Sequence, residues 1–234
     1  MKDFQFQQFS ISQDQDVFRV GTDAVLLGAL ANCNDAKSVL EVGTGTGIIS
    51  LMVAQRNQYC QIKAIDINKD AVNLSQTNFS NSVFSDRITS QFNDFKTFSS
   101  DAKFDLVISN PPYFEVNDSQ KDVLARQKIE LDFNDLIGKS SSLLSPKGIL
   151  SVIIPAADRL MFQEIAKSYS LFLEREVSIF GIENGPIKRV ILEFSLEEKE
   201  PKLESLVIEK SPRQYSDDYL ELTKDFHIFK KKSN

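Results

Sequence analysis

Ser38-Val-Leu-Glu-Val-Gly-Thr-Gly-Thr-Gly-Ile48 carries a short apolar run straight into three alternating glycines. A brief apolar run bounded by glycines predicts a buried strand, and the segment from Ile48 to about Asn57 predicts the helix that follows it. A strand, a glycine turn and a helix in that order form the first half of a βαβ unit, the building block of a parallel sheet. Glycines let bare backbone approach a ligand, and the N-terminus of the next helix favours negative charge. A dinucleotide fingerprint would place glycine or alanine at the sixth position of the loop. Ile48 stands there, with glycine one residue early at Gly47, which counts against a nicotinamide cofactor.

The same alternation continues downstream. Ile62 to Ile67 predicts a second strand ending on Asp66, followed by a mostly exposed helix from Asn68 to Ser80. Ile88 to Phe92, Leu106 to Ser109 and Ile149 to Ile154 predict the third to fifth strands, the last after the turn Ser145-Pro-Lys-Gly148. Asp132, with Asp135 three residues on, marks a helix start and predicts a helix through Leu144 despite Gly138. Val177 to Phe180 and Val190 to Phe194 flank the tight turn Glu183-Asn-Gly-Pro186, so this pair must be antiparallel. Upstream, Phe4, Phe6, Phe9 and Ile11, then the polar stretch Gln13 to Asp16, then Val17, Phe18 and Val20 predict a hairpin. Thr22 or Asp23 can cap a helix through Ala31. Leu206 to Ile208 and a helix around Asp217 to Asp225 follow the charged stretch Glu197 to Lys202.

The expected fold is a doubly wound, Rossmann-like α/β domain with a seven-stranded mixed sheet that finishes in an antiparallel pair. One domain is expected over residues 1–234, with an N-terminal hairpin and helix (1–35), a catalytic core (36–196) and a C-terminal strand and helix extension (197–234).

Phe104-Asp-Leu-Val-Ile-Ser-Asn-Pro-Pro-Tyr113 supplies the chemistry. Two prolines in succession fix φ, lack N–H donors and hold Asn110 extended at the end of a buried strand. The acceptors there have no partner within the motif, which suits the capture of an amino group through its hydrogens. In a doubly wound sheet the first and fourth strands lie side by side at the switch point, with ligand beyond their C-terminal ends. The glycine loop and Asn110 therefore meet in space: one side holds a cofactor and the other an acceptor nitrogen. Asp66, at the end of the second strand, can bind two ribose hydroxyls, or else cap the helix behind it.

Composition narrows the partners. At 234 residues with 41% apolar and 26% charged residues the chain can bury a full core. No apolar stretch has the length of a membrane span and no signal peptide is recognisable, so a soluble, cytoplasmic protein is expected. Cys33, Cys60 and the lone His227 have no metal-ligand spacing, so the chemistry is expected to run without a metal or a histidine base. A formal charge of −6 argues against non-specific coating of nucleic acid but leaves room for a local basic face.

The chain resembles the S-adenosylmethionine-dependent class I N-methyltransferases with an Asn-Pro-Pro-Tyr motif. More narrowly, it is similar to the bacterial family that methylates N6 of adenine 37 in tRNA1(Val). The narrower likeness rests on Val20-Gly-Thr-Asp-Ala-Val-Leu-Leu-Gly-Ala29, Val39 to Gly47, Ser109 to Tyr113, Arg189-Val-Ile-Leu-Glu-Phe194 and Tyr215-Ser216. It implies S-adenosylmethionine as cofactor, tRNA as partner, and neither a membrane, a metal nor an obligate protein partner. It also implies roles. Gly21, Thr22 and Asp23 lie near the methionine end of the cofactor, Glu41 helps to hold its amino group, and Gly43, Gly45 and Gly47 form its loop. Asp66 takes the ribose, and Asp94 either meets the adenine edge or is a turn residue. Asn110 with Pro111 and Pro112 forms the acceptor clamp, also touching the cofactor side. Tyr113, or Phe114 beside it, stacks on the target base, and Lys121, Arg126 and Lys128 are candidate phosphate contacts.

An exocyclic aromatic amine is a weak nucleophile, and two acceptors on its hydrogens turn its lone pair out of the ring. The same clamp also fits a guanine N2 in ribosomal RNA or a protein glutamine amide. An inactive cofactor-binding partner subunit is a further reading, opposed by the intact glycine loop and clamp.

Overall fold

The computed structural model describes residues 3–14, 17, 20–112 and 121–228, with 121–131 described by their backbone. The chain opens with β1 (Phe4–Gln5) and β2 (Ser10–Ile11), paired antiparallel with Phe4 opposite Ile11, and continues into α1 (Thr22–Leu30). Then come β3 (Ser38–Val42), α2 (Ile48–Arg56), β4 (Gln61–Asp66), α3 (Lys69–Ser80), β5 (Ile88–Phe92) and β6 (Phe104–Ser109). The second half holds α4 (Lys121–Leu143), β7 (Leu144–Pro155), α5 (Arg159–Ser168), β8 (Phe172–Ile182) and β9 (Ile187–Ser195). It closes with β10 (Lys202–Ser211), β11 (Gln214–Tyr215) and α6 (Asp217–Thr223).

The main sheet runs β5-β4-β3-β6-β7-β9-β8-β10-β11. Its β5-β4-β3-β6-β7 part is parallel, β9 is antiparallel to both β7 and β8, and β10 is again parallel to β8. The expected seven strands are all present, and β10 and β11 lengthen the sheet to nine. Alternate residues of each strand feed two cores. Leu106 and Ile108 face α1 and α2 together with Val39, Ile62, Ile153 and Ile191. Val107 faces α4 and α5 together with Leu40, Ile65, Val152, Phe133 and Phe162. Both faces of the sheet are covered, which is why the parallel strands read as continuous apolar runs. Among the described residues no helix is long and apolar enough to cross a membrane.

Three readings need correction. The N-terminal hairpin turns within residues 6–9, where Phe6 N donates to Phe9 O at 2.9 Å, and the expected continuation over 15–16 and 18–19 lies outside the described residues. The helix expected from Asp132 begins at Lys121, and Asp132 and Asp135 instead pair with Lys96 at 3.4 and 2.8 Å. Helix α5 went unread, although Phe162, Ile165 and Ala166 lie at helical spacing and Phe162 and Ala166 are buried. Gly138 is tolerated inside α4 because a Cβ there would lie 2.7 Å from the Tyr169 ring.

Candidate active site

Val42 and Ser109 are register partners at the C-terminal ends of β3 and β6, and the Ser109 hydroxyl donates to the Val42 carbonyl at 2.9 Å. Gly43 and Asn110 are the next residues of their strands, so the glycine loop and the clamp start side by side. Asn110 follows a strand whose last four residues are buried, and its own Oδ1 is buried with no hydrogen-bond partner among the described residues. A buried carbonyl oxygen without a donor is costly, which makes Asn110, at its strand end, a candidate to receive a donor.

The loop itself is shaped by three positive φ angles, 75° at Gly43, 55° at Gly45 and 82° at Gly47. At Gly43 and Gly45 a Cβ would meet nothing within 4 Å among the described residues, so there a ligand can approach the backbone. Gly47 plays a different part: a Cβ there would lie 2.4 Å from the Phe79 ring, so α3 packs directly against the turn into α2. Gly45 N donates to Asp66 Oδ2 at 2.9 Å, and Asn68 N donates to Asp66 Oδ1 at 2.9 Å. These bonds fix the plane of the carboxylate across the loop and leave each oxygen able to accept again. Helix α3 is capped by Asn68, which accepts from Asp70 N at 2.8 Å, and not by Asp66.

Glu41 is fully buried beneath the loop. Its Oε2 accepts from the hydroxyls of Thr44, at 2.8 Å, and Ser50, while Oε1 is buried without a partner among the described residues. Burial pushes its carboxyl up to about 7 against those hydrogen bonds, and nearby Asp66 pushes the same way. Asp94 lies in a turn after β5, its Oδ1 accepting from Lys96 N at 2.9 Å. The preceding Asn93 N donates to Asp66 O at 3.0 Å, so the turn stands beside Asp66. Ile67, 66% exposed between Asp66 and the α3 cap, was missed as a candidate. Its signal was an apolar residue directly after an acidic strand end. Asn78 was missed as well. Buried on α3, it donates to Thr46 O at 2.9 Å and to Ser12 O at 3.1 Å and accepts from Ser12 N at 2.9 Å, tying the loop to the N-terminal segment.

A family model described as the methyltransferase small domain matches residues 13–169. A tRNA1(Val) (adenine(37)-N6)-methyltransferase from Flavobacteriaceae bacterium (strain 3519-10) is 49% identical over 230 residues, 98% of this chain and 100% of that relative. The chain belongs to the family of tRNA1(Val) (adenine(37)-N6)-methyltransferases. Another member, from Phocaeicola vulgatus, is 40% identical over 96% of this chain and 97% of its own length. Two solved structures share the class I methyltransferase fold. A predicted O-methyltransferase from Agrobacterium tumefaciens has TM-score 0.68 at 18% identity, over 87% of this chain and 96% of its own. A methyltransferase from Pyrococcus furiosus has TM-score 0.62 at 16% identity, over 80% and 89%.

The cofactor of this methyltransferase is S-adenosylmethionine, and the residues present fit it. Open backbone at Gly43 and Gly45, the fixed Asp66 carboxylate and the Asn110 oxygen, unpartnered among the described residues, stand at neighbouring strand ends. Gly21 and Thr22 are exposed at the start of α1, where no side chain caps the helix. The Asp23 carboxylate instead accepts from Arg189 Nε at 2.8 Å, so the capping role read for Thr22 or Asp23 is not taken up. Pro111 is half-buried and Pro112 exposed after the clamp. Tyr113 and Phe114 lie outside the described residues, as do the side chains of Lys121, Arg126 and Lys128, whose backbone forms the start of α4. Among the described residues no cluster of three or more His, Cys, Asp or Glu could hold a metal ion.

Proposed function

We propose that the chain methylates the exocyclic N6 of an adenine in cytoplasmic tRNA, adenine 37 of tRNA1(Val). The buried, unpartnered Asn110 Oδ1 carries the reading, because it is an acceptor held ready at the point where the cofactor loop begins. The substrate comes from the names of the full-length relatives, which favour an adenine over the guanine N2 or glutamine amide that the same clamp would admit. S-adenosylmethionine supplies an electrophilic methyl group when bound.

The chain's own residues do the rest. Asn110 Oδ1 and the Pro111 carbonyl accept the two N–H bonds of the amine, which localises its lone pair and aims it towards the Gly43 to Gly47 side. The two prolines hold both acceptors rigid, so little reorganisation is needed at the moment of reaction. Once methylated, the nitrogen is acidic enough to release a proton to water, and no strong base is required. Asp66 takes the ribose hydroxyls, the Asp94 turn and Ile67 flank the adenine, and Gly21 to Asp23 face the amino-acid end. Glu41, enclosed by Thr44 and Ser50, supports the loop from below and reaches the ammonium through its Oε1 side. Tyr113 or Phe114 stacks on the target base, and Lys121, Arg126 and Lys128 meet phosphates of the RNA.

The test is Asn110→Ala. Methyl transfer to tRNA should fall by about a hundredfold or more, the scale of losing one aligned electrostatic contact, while calorimetric affinity for S-adenosylmethionine stays within about threefold. Equal loss of both would make Asn110 a structural residue and remove the support for this reading.

A further inference from the structure

We propose that Arg189 is a positioning residue for the amino-acid end of the cofactor, acting through Asp23. The proposal rests on the cofactor-binding reading above and adds to it a residue on the far side of the switch point. Arg189 lies on β9 opposite Pro155, the last residue of β7, while Ser109 faces Val152 three residues earlier on β7. The guanidinium therefore stands two strands from the clamp, on the order of 10 to 15 Å away along the same edge.

Helix α1 reaches that edge with its first turn alone. Ala24 to Ala29 are buried against α2 and the sheet, while Gly21 and Thr22 are exposed and Asp23 is partly so. Packing thus fixes where Asp23 begins, and the N-cap before it is a glycine in extended conformation. Arg189 holds the carboxylate. Its Nε donates to Asp23 Oδ2 at 2.8 Å, its Nη1 donates to the Lys188 carbonyl at 3.1 Å, and the ionic side chains are 27% and 19% exposed. A charge-assisted bond with this much water removed is stronger than a surface ion pair and sets the plane of the carboxylate.

The chemistry matches the ligand's end group. An α-amino acid presents an ammonium beside a carboxylate. A lone aspartate would attract the first and repel the second. Paired with Arg189, Asp23 still offers acceptor lone pairs to an ammonium, while the guanidinium offsets its charge towards the neighbouring carboxylate.

The experiment is calorimetric titration of the full chain with two probes. One is S-adenosylmethionine; the other is 5′-methylthioadenosine, which has the nucleoside and the sulfur but no amino-acid end. For Arg189→Ala, affinity for S-adenosylmethionine should fall about tenfold or more, with 5′-methylthioadenosine binding unchanged. Asp23→Ala should lose at least as much, and the double variant no more than Asp23→Ala, since the two act as a unit. Arg189→Lys keeps the charge without the fixed Nε donor and should fall between wild type and Arg189→Ala, so it decides the matter if the alanine variant does not fold. Unchanged S-adenosylmethionine affinity in the Arg189 variants, equal loss of both probes, or additive losses in the double variant would each overturn the proposal. Failure of the wild-type chain to bind S-adenosylmethionine would instead count against the proposed function.

Discussion

Ser109 on β6 donates its hydroxyl to the Val42 carbonyl on β3 at 2.9 Å, at the last rung of their shared ladder. Everything that the site does depends on these strand ends keeping their spacing, because the cofactor loop leaves from one and the clamp from the other. Ser109→Ala should cost about 1 kcal/mol in chemical denaturation, the size of a typical net hydrogen bond. Methyl transfer should fall more than that stability loss alone predicts, whereas Ser109→Thr, which keeps the hydroxyl, should retain most activity.

The glycines of the loop separate into two kinds. Gly45→Ala places a methyl into open space at a φ of 55°, so it should cost about 1 to 2 kcal/mol from backbone strain and weaken cofactor binding strongly. Gly47→Ala carries the same strain at 82° and also meets the Phe79 ring, so its main effect should be on stability, larger by about 1 to 3 kcal/mol. Thermal melts paired with calorimetry will distinguish the two outcomes.

Glu41 and His227 impose opposite pH slopes. Burial raises the Glu41 carboxyl from 4.5 to about 7, so between those values the native state keeps a proton that the unfolded chain has released. Stability from this group is fully present below 4.5 and is lost as pH rises through 7, by about 3 kcal/mol in total. His227, stacked on Phe6 at 5.6 Å, is pushed below 6.5 by burial. Its contribution is therefore lost as pH falls from 6.5 through that lowered value. Glu41→Gln should leave a stability profile that only rises from pH 5 to 7, and His227→Phe one that only falls, as read by denaturation at several pH values.

Asn78 makes three bonds from a buried position, two to Ser12 and one to the Thr46 carbonyl. Asn78→Leu fills similar space but leaves those groups unpaired, so it should cost about 2 to 4 kcal/mol and weaken the binding of both S-adenosylmethionine and 5′-methylthioadenosine. Loss of affinity for both probes is what sets this variant apart from Arg189→Ala.

The sheet was legible because its buried strands carry their own signal. Ile88 to Phe92 has the bounds of β5, and Ser38 to Val42 those of β3. The clamp and the glycine loop were legible because proline and glycine restrict the backbone whatever surrounds them. Long-range partners were not. Asp23 looked like a helix cap until Arg189, far along the chain, claimed it, and Asp132 with Asp135 looked like a helix start while they bind Lys96. Local patterns cannot tell an aspartate that caps a helix from one that meets a cation across the fold, since both place a short acid at a polar boundary. Asn78 was hidden for a related reason: it stands in a polar helix, and only the packing of α3 against the loop buries it.

The most direct test of the central claim is to incubate the purified chain with methyl-labelled S-adenosylmethionine and tRNA lacking this modification, then digest the RNA and identify the labelled nucleoside. The account predicts N6-methyladenosine, located at position 37 of tRNA1(Val). Label recovered as N2-methylguanosine, in protein glutamine, or not at all would contradict it.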